Sequence, residues 1–138
     1  MPRTLHFLLL LSISWLGEAG VPNKFDIFGN ITCNLGRPYK YEITVRELDL
    51  TSHDDKVGRN PWVTSTTSPT PYYIQASDTD DGPWNHYFEL DLFILHDCGP
   101  GQMAATFNVG EFWINENGYT HQKCVNVDLT NAGWPYKW

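Results

Sequence analysis

The chain has 138 residues, with 9 Lys and Arg against 16 Asp and Glu and a formal net charge of −7. So acidic a chain repels phosphate backbones, which argues against nucleic acid and against plain electrostatic adhesion to anionic lipid. At this length one domain can bury a real core, and two would be cramped.

Arg3 precedes the apolar run Phe7 to Leu16, and the small-residue pattern Gly17-Glu18-Ala19 follows. This is the layout of a secretory signal peptide, with cleavage expected after Ala19. The apolar run is about ten residues, half of what a bilayer-spanning helix needs. No later stretch is long and apolar enough to span, and the end Trp134-Pro135-Tyr136-Lys137-Trp138 has no lipid-anchor pattern. The expected product is therefore a secreted, extracellular domain of residues 20–138, not a transmembrane protein. Loss of Arg3 and Glu18 takes the charge balance from 9 against 16 to 8 against 15, still −7.

Along that domain the apolar residues alternate with the period of strands, and no segment sustains a helical stripe. Phe25, Ile27, Ile31 and Cys33 alternate with Asp26, Asn30 and Thr32 in a first strand, closed by the turn Asn34-Leu35-Gly36-Arg37-Pro38. A second begins at Tyr41, with Tyr41, Ile43 and Val45 on one face and Glu42, Thr44 and Arg46 on the other. The apolar parity switches near Glu47, where a bulge or the strand's end is expected. Thr51 to Asn60 reads as an exposed polar loop. Trp62 to Gln75, broken by Pro69 and Pro71, holds one or two short edge strands, since proline is excluded from central ones. After an acidic turn at Ser77 to Pro83 comes the most apolar strand, His86 to His96, with Phe88, Leu90, Leu92 and Ile94 facing the core. Further strands follow at Ala104 to Val109, Phe112 to Ile114 and Cys124 to Leu129. Seven to eight short antiparallel strands separated by Gly, Pro, Asn and Asp turns predict an all-β sandwich.

Three cysteines, Cys33, Cys98 and Cys124, imply one disulfide and one leftover thiol in an oxidising compartment, and three pairings are open. Asn30-Ile31-Thr32 is an acceptor pattern for N-glycosylation, with Asn30 on the outward face of its strand.

The stretch Phe28-Gly29-Asn30-Ile31-Thr32-Cys33-Asn34, then Arg37-Pro38 leading into Tyr41 to Asp49, then Phe93-Ile94-Leu95-His96-Asp97-Cys98, resembles the nematode transthyretin-like secreted proteins. The tail Val125 to Gly133 looks like that family's last strand. The resemblance covers roughly residues 26 to 133, and Val57 to Pro83 fits it poorly. It implies a transthyretin-like β-sandwich and an extracellular binding role, bridging or carrying a lipid, a lipophilic ligand or a cell-surface partner such as a receptor. Family members commonly carry another cysteine just after the His-Asp-Cys element, where this chain has Gly99-Pro100-Gly101-Gln102, so the family's disulfide arrangement does not transfer. On face parity, Cys33 and Cys98 extend core-facing rows whereas Cys124 lies opposite Val125 and Val127, which favours a Cys33–Cys98 bridge.

The wider transthyretin superfamily includes hydroxyisourate hydrolases that use histidines, an arginine and a C-terminal Tyr-Arg-Gly-Ser element. This chain ends Trp-Pro-Tyr-Lys-Trp, so a small secreted hydrolase stands as the alternative to binding. No catalytic, cofactor or metal residues are assigned. His53-Asp54-Asp55 and Asp78-Thr79-Asp80-Asp81 lack the spacing of a calcium loop, His96-Asp97-Cys98 lacks a second ligand cluster for zinc, and neither a nucleophile elbow nor a phosphate loop occurs. Trp62, Tyr72, Tyr73, Trp84, Trp113, Trp134, Tyr136 and Trp138 fall mostly in loops, edges or the tail. They are expected to fill gaps and cap the sandwich, with a binding surface as the other reading.

Overall fold

The structure, a computed structural model, describes residues 20–49, 54–79 and 86–137. Residues 1–19, where the signal peptide is expected, and His53, Asp80, Asp81, Trp84 and Trp138 lie outside the described residues. Among the described residues nine strands form two sheets. These are β1 (Asn23–Thr32), β2 (Tyr39–Glu47), β3 (Asp55–Ser65), β4 (Thr70–Asp78), β5 (Tyr87–His96), β6 (Met103–Trp113), β7 (Thr120–Cys124), β8 (Val127–Asp128) and β9 (Trp134–Pro135). One sheet runs β4-β1-β7 with β8 also on β1; the other runs β3-β2-β5-β6-β9. The domain is an all-β sandwich. No helix among the described residues is long and apolar enough to cross a membrane.

The pairing is antiparallel except for β1 with β7 and β8, which is parallel. Sequence alternation misses this, because a half-buried strand reads the same whichever way its neighbour runs. The two parallel strands are separated at Val125-Asn126, where Val125 N–H donates to the Phe28 carbonyl (2.8 Å) and the Asn126 Oδ1 accepts from Asn30 N–H (2.9 Å). Gly29 sits at this crossing, and a Cβ there would collide with the Val125 carbonyl.

The core is the alternation made solid. Phe25, Ile27 and Ile31 of β1 meet Ile43 and Val45 of β2, Ile74 of β4 and Phe88, Leu90, Leu92 and Ile94 of β5, all essentially inaccessible to water. Phe25 packs edge-on to Phe88 with ring centres 5.2 Å apart. Cys33 and Cys98 form a disulfide with Cα atoms 5.9 Å apart. It follows β1 of one sheet and β5 of the other, so it staples the two layers together. Cys124 is a free, exposed cysteine.

Four expectations change. The strand expected over Cys124 to Leu129 is broken at Val125-Asn126 into the end of β7 and the short β8. Residues 55–60 are not a loop but the first half of β3, an edge strand whose exposure removes the need for an apolar row; Gly58 lies so close to Gln75 and Ala76 that a Cβ would meet them at 2.8–2.9 Å. Ser77 and Asp78 still belong to β4, paired with Lys24 and Asn23. The two short strands around Ala104 and Phe112 are one strand, β6, irregular opposite Leu90/Asp91, where Gly110 takes φ 128°. Pro71 does sit in an edge strand, β4, as its missing N–H requires.

Candidate functional site

Strand register builds a row of side chains across the outer face of the five-stranded sheet. Lys40 pairs with Thr64 of β3. On its other side Lys40 N–H donates to Asp97 Oδ1 (2.7 Å), while Asp97 N–H donates to the Lys40 carbonyl (3.1 Å). Gln102 follows, because His96 pairs with Met103, and Asp97 and Gln102 are the next residue outward on each strand. With Trp62, these four residues line a surface cleft of about 430 Å³, within the roughly 300–1,000 Å³ typical of small-ligand sites. Trp62 is 40% exposed and forms one rim. Past Gln102, whose carbonyl accepts from Tyr136 N–H (3.0 Å), β9 presents Trp134, 48% exposed. The cleft thus joins a cation, a carboxylate, an amide and a hydroxyl to an aromatic face.

The middle of the same face carries a belt of ion pairs. Arg59 clamps Glu42 through two hydrogen bonds of 3.1 and 2.8 Å. Arg46 clamps Asp91, reaches Asp54 at 3.4 Å and lies over the Phe93 ring at 4.8 Å. Asp91 and Glu42 are buried beneath these guanidinium groups. The hydrogen bonds to the two carboxylates hold both arginines above their ordinary pKa.

Of the residues singled out in the sequence, His96, Asp97 and Cys98 have three different fates. His96 points into the core, where Nδ1 accepts from Cys98 N–H (3.2 Å). That leaves the ring proton on the buried Nε2. Burial lowers the pKa of His96 against the opposing pull of the Ala132 carbonyl and Asp97. Asp97 faces outward into the cleft, and Cys98 is bridged. His121 lies at the other end of the sandwich, stacked on Phe25 (5.3 Å, 11°) and against Phe112 and Tyr119, and burial lowers its pKa as well. Among the described residues no three His, Cys, Asp or Glu side chains come together as a metal site.

Asn30 is exposed on the outer face of the four-stranded sheet. Tyr72 is a core residue, its phenol raised in pKa by burial and donating to the Val125 carbonyl (2.7 Å). Trp62, Tyr73, Trp113 and Trp134 instead stand 40–71% exposed, which departs from the gap-filling role expected of them. Lys40, Thr64 and Gln102 were not candidates in the sequence. The usable signal was outward parity at Lys40 and Asp97, but their partners depend on long-range register.

The chain is similar to a Caenorhabditis elegans protein. That relative, described as uncharacterized, is 29% identical over 89 residues, which are 64% of this chain and 66% of the relative. The match thus spans just under two thirds of the relative's length. No family model matches the chain, and no solved structure matches it.

Proposed function

We propose that the protein is a secreted, extracellular binding protein of the nematode transthyretin-like type, and that the Trp62 cleft engages a cell-surface partner through a polar, ring-bearing group such as a glycan. The carrying observation is the row Thr64, Lys40, Asp97, Gln102 beside an exposed indole. An aromatic face packs against the C–H face of a sugar ring while neighbouring polar groups pair with its hydroxyls, which suits a site lined by amide, carboxylate and ammonium better than it suits an acyl chain. The family motifs and a similar protein in a nematode support the type.

The hydrolase alternative would need histidines converging with an arginine. His121 lies beside Phe25 and His96 lies two residues before Cys98, which bridges to Cys33. The eight-residue step from Phe25 to Cys33 spans roughly 25 Å of strand, so these two histidines do not converge. The test is a screen of the disulfide-intact protein on an array of cell-surface glycans and on phosphatidylcholine–phosphatidylserine vesicles. Saturable glycan binding supports the reading, whereas vesicle binding with a blank array would replace it with a lipid-directed role.

A further inference from the structure

The outer face of the four-stranded sheet carries a second, independent arrangement. Phe28 of β1 lies directly between Tyr73 of β4 and Cys124 of β7 in register. All three are exposed, Phe28 by 40% and Tyr73 by 55%. Tyr73 is anchored by its hydroxyl, which donates to Asp26 Oδ1 (2.7 Å), an oxygen that also accepts from Gln75 Nε2 (2.9 Å). A row of two uncovered rings and a free thiol is an unusual surface for a protein that passes through an oxidising compartment. Asn30 is two residues beyond Phe28 on the same face, so about 7 Å along β1 and, with one interstrand step, roughly 8 Å from Cys124. It begins the sequence's single Asn-x-Ser/Thr pattern, Asn30-Ile31-Thr32. Its neighbour on β4 is Pro71, and on the other side the Asn126 Oδ1 accepts from its backbone N–H and lies 3.5 Å from its amide nitrogen.

We propose that Asn30 carries an N-linked glycan that lies over Phe28, Tyr73 and Cys124, closing this face and shielding the thiol. Binding is thereby directed to the cleft on the opposite face. The proposal rests on the secretion reading above. The donor is a lipid-linked oligosaccharide pyrophosphate. The Asn30 amide nitrogen forms a bond to C1 of the terminal sugar, the bond from C1 to the pyrophosphate oxygen breaks, and the lipid pyrophosphate leaves as the amide gives up one proton. Transfer precedes folding, so a strand position is no obstacle provided that the folded side chain faces solvent. One amide hydrogen survives, and the nearby Asn126 oxygen remains available to orient the first sugar.

The test expresses the full chain in cultured insect cells as wild type, Thr32→Ala and Thr32→Ser. The same three are also made with a proven secretory leader fused ahead of Met1. The expected result is a slower-migrating wild-type and Thr32→Ser band in the medium, collapsed by peptide N-glycosidase, and a single fast band for Thr32→Ala. A polyethylene-glycol maleimide should then label Cys124 several-fold more slowly in the glycosylated protein than after the glycan is removed. Unmodified protein in the medium both with and without the added leader overturns the glycan while leaving secretion intact. Wild type that stays in the cytosol, with glycan appearing only behind the added leader, overturns the secretion reading instead. Equal maleimide rates before and after deglycosylation overturn the shielding.

Discussion

Replacing both Cys33 and Cys98 by alanine, in a Cys124→Ser background that prevents thiol exchange, tests the disulfide as an inter-sheet staple. The bridge closes a 65-residue segment of chain. A loop of that length gives a chain-entropy stabilisation of about 4 kcal/mol, which is a large share of the roughly 5–15 kcal/mol that keeps a domain folded. Both sulfurs are buried, Cys98 completely, so the truncation also removes packed atoms, and the loss should not fall below the entropic figure. Guanidinium unfolding at pH 7.5 measures it, with wild type and double variant compared by linear extrapolation. An expected loss of about 4 kcal/mol corresponds to a fall in Tm of roughly 10–20 °C for a domain of this size. A loss under about 1 kcal/mol, with an unchanged denaturant slope, would refute the argument, because it would mean that the unfolded chain is not restricted by the link.

Other consequences follow from single sites. Acidification should weaken the fold in two separate windows. His96 and His121 are both held below their ordinary pKa by burial, so the fold favours their neutral form; their stability is full above pH 6.5 and is lost as pH falls from there toward the folded values. Asp26 and Asp128 are held below 3.8 by hydrogen bonds from Tyr73 and Gln75 and from Thr130, and their share is lost only in the more acid range. Unfolding free energy measured from pH 8 to 5 should fall, and His121→Phe, which keeps an aromatic ring against Phe25, should reduce that fall; an unchanged slope contradicts the assignment. Gly29→Ala forces a Cβ into the Val125 carbonyl and should cost about 1–3 kcal/mol, with faster hydrogen exchange at Val125 as the local sign. Arg46→Met leaves Asp91 buried without its partner and should cost about 3 kcal/mol. Adding Asp91→Leu should recover most of this, and failure to recover would show that Arg46 acts by its contact with Phe93.

What the sequence made legible was whatever a single strand expresses by itself. Phe88, Leu90, Leu92 and Ile94 alternate because β5 is central, bonded on both edges and packed on one face. Cys33 and Cys98 could be paired because each extends such a row. The first half of β3 was not legible because it is an exposed edge, where Gly58 answers to Gln75 and Ala76 rather than to a periodic core. β7 was hidden for a related reason: Thr-His-Gln-Lys-Cys has only His121 facing the core, and a histidine among aromatic rings does not register as an apolar position. The cleft needed still more. Lys40, Asp97 and Gln102 become neighbours of Thr64 and Trp62 only through the registers of three strand pairs, and register is set by tertiary packing.

The most direct test of the binding claim is the affinity of wild type, Trp62→Ala and Trp113→Ala for the strongest probe on the glycan array. Trp113 is 71% exposed and lies on the same sheet at the far end of β6, so it controls for loss of any surface tryptophan. Trp62→Ala is expected to weaken binding at least about tenfold, near 1.4 kcal/mol, with Trp113→Ala unchanged. Equal affinities for all three proteins would contradict it and remove the cleft as the binding site.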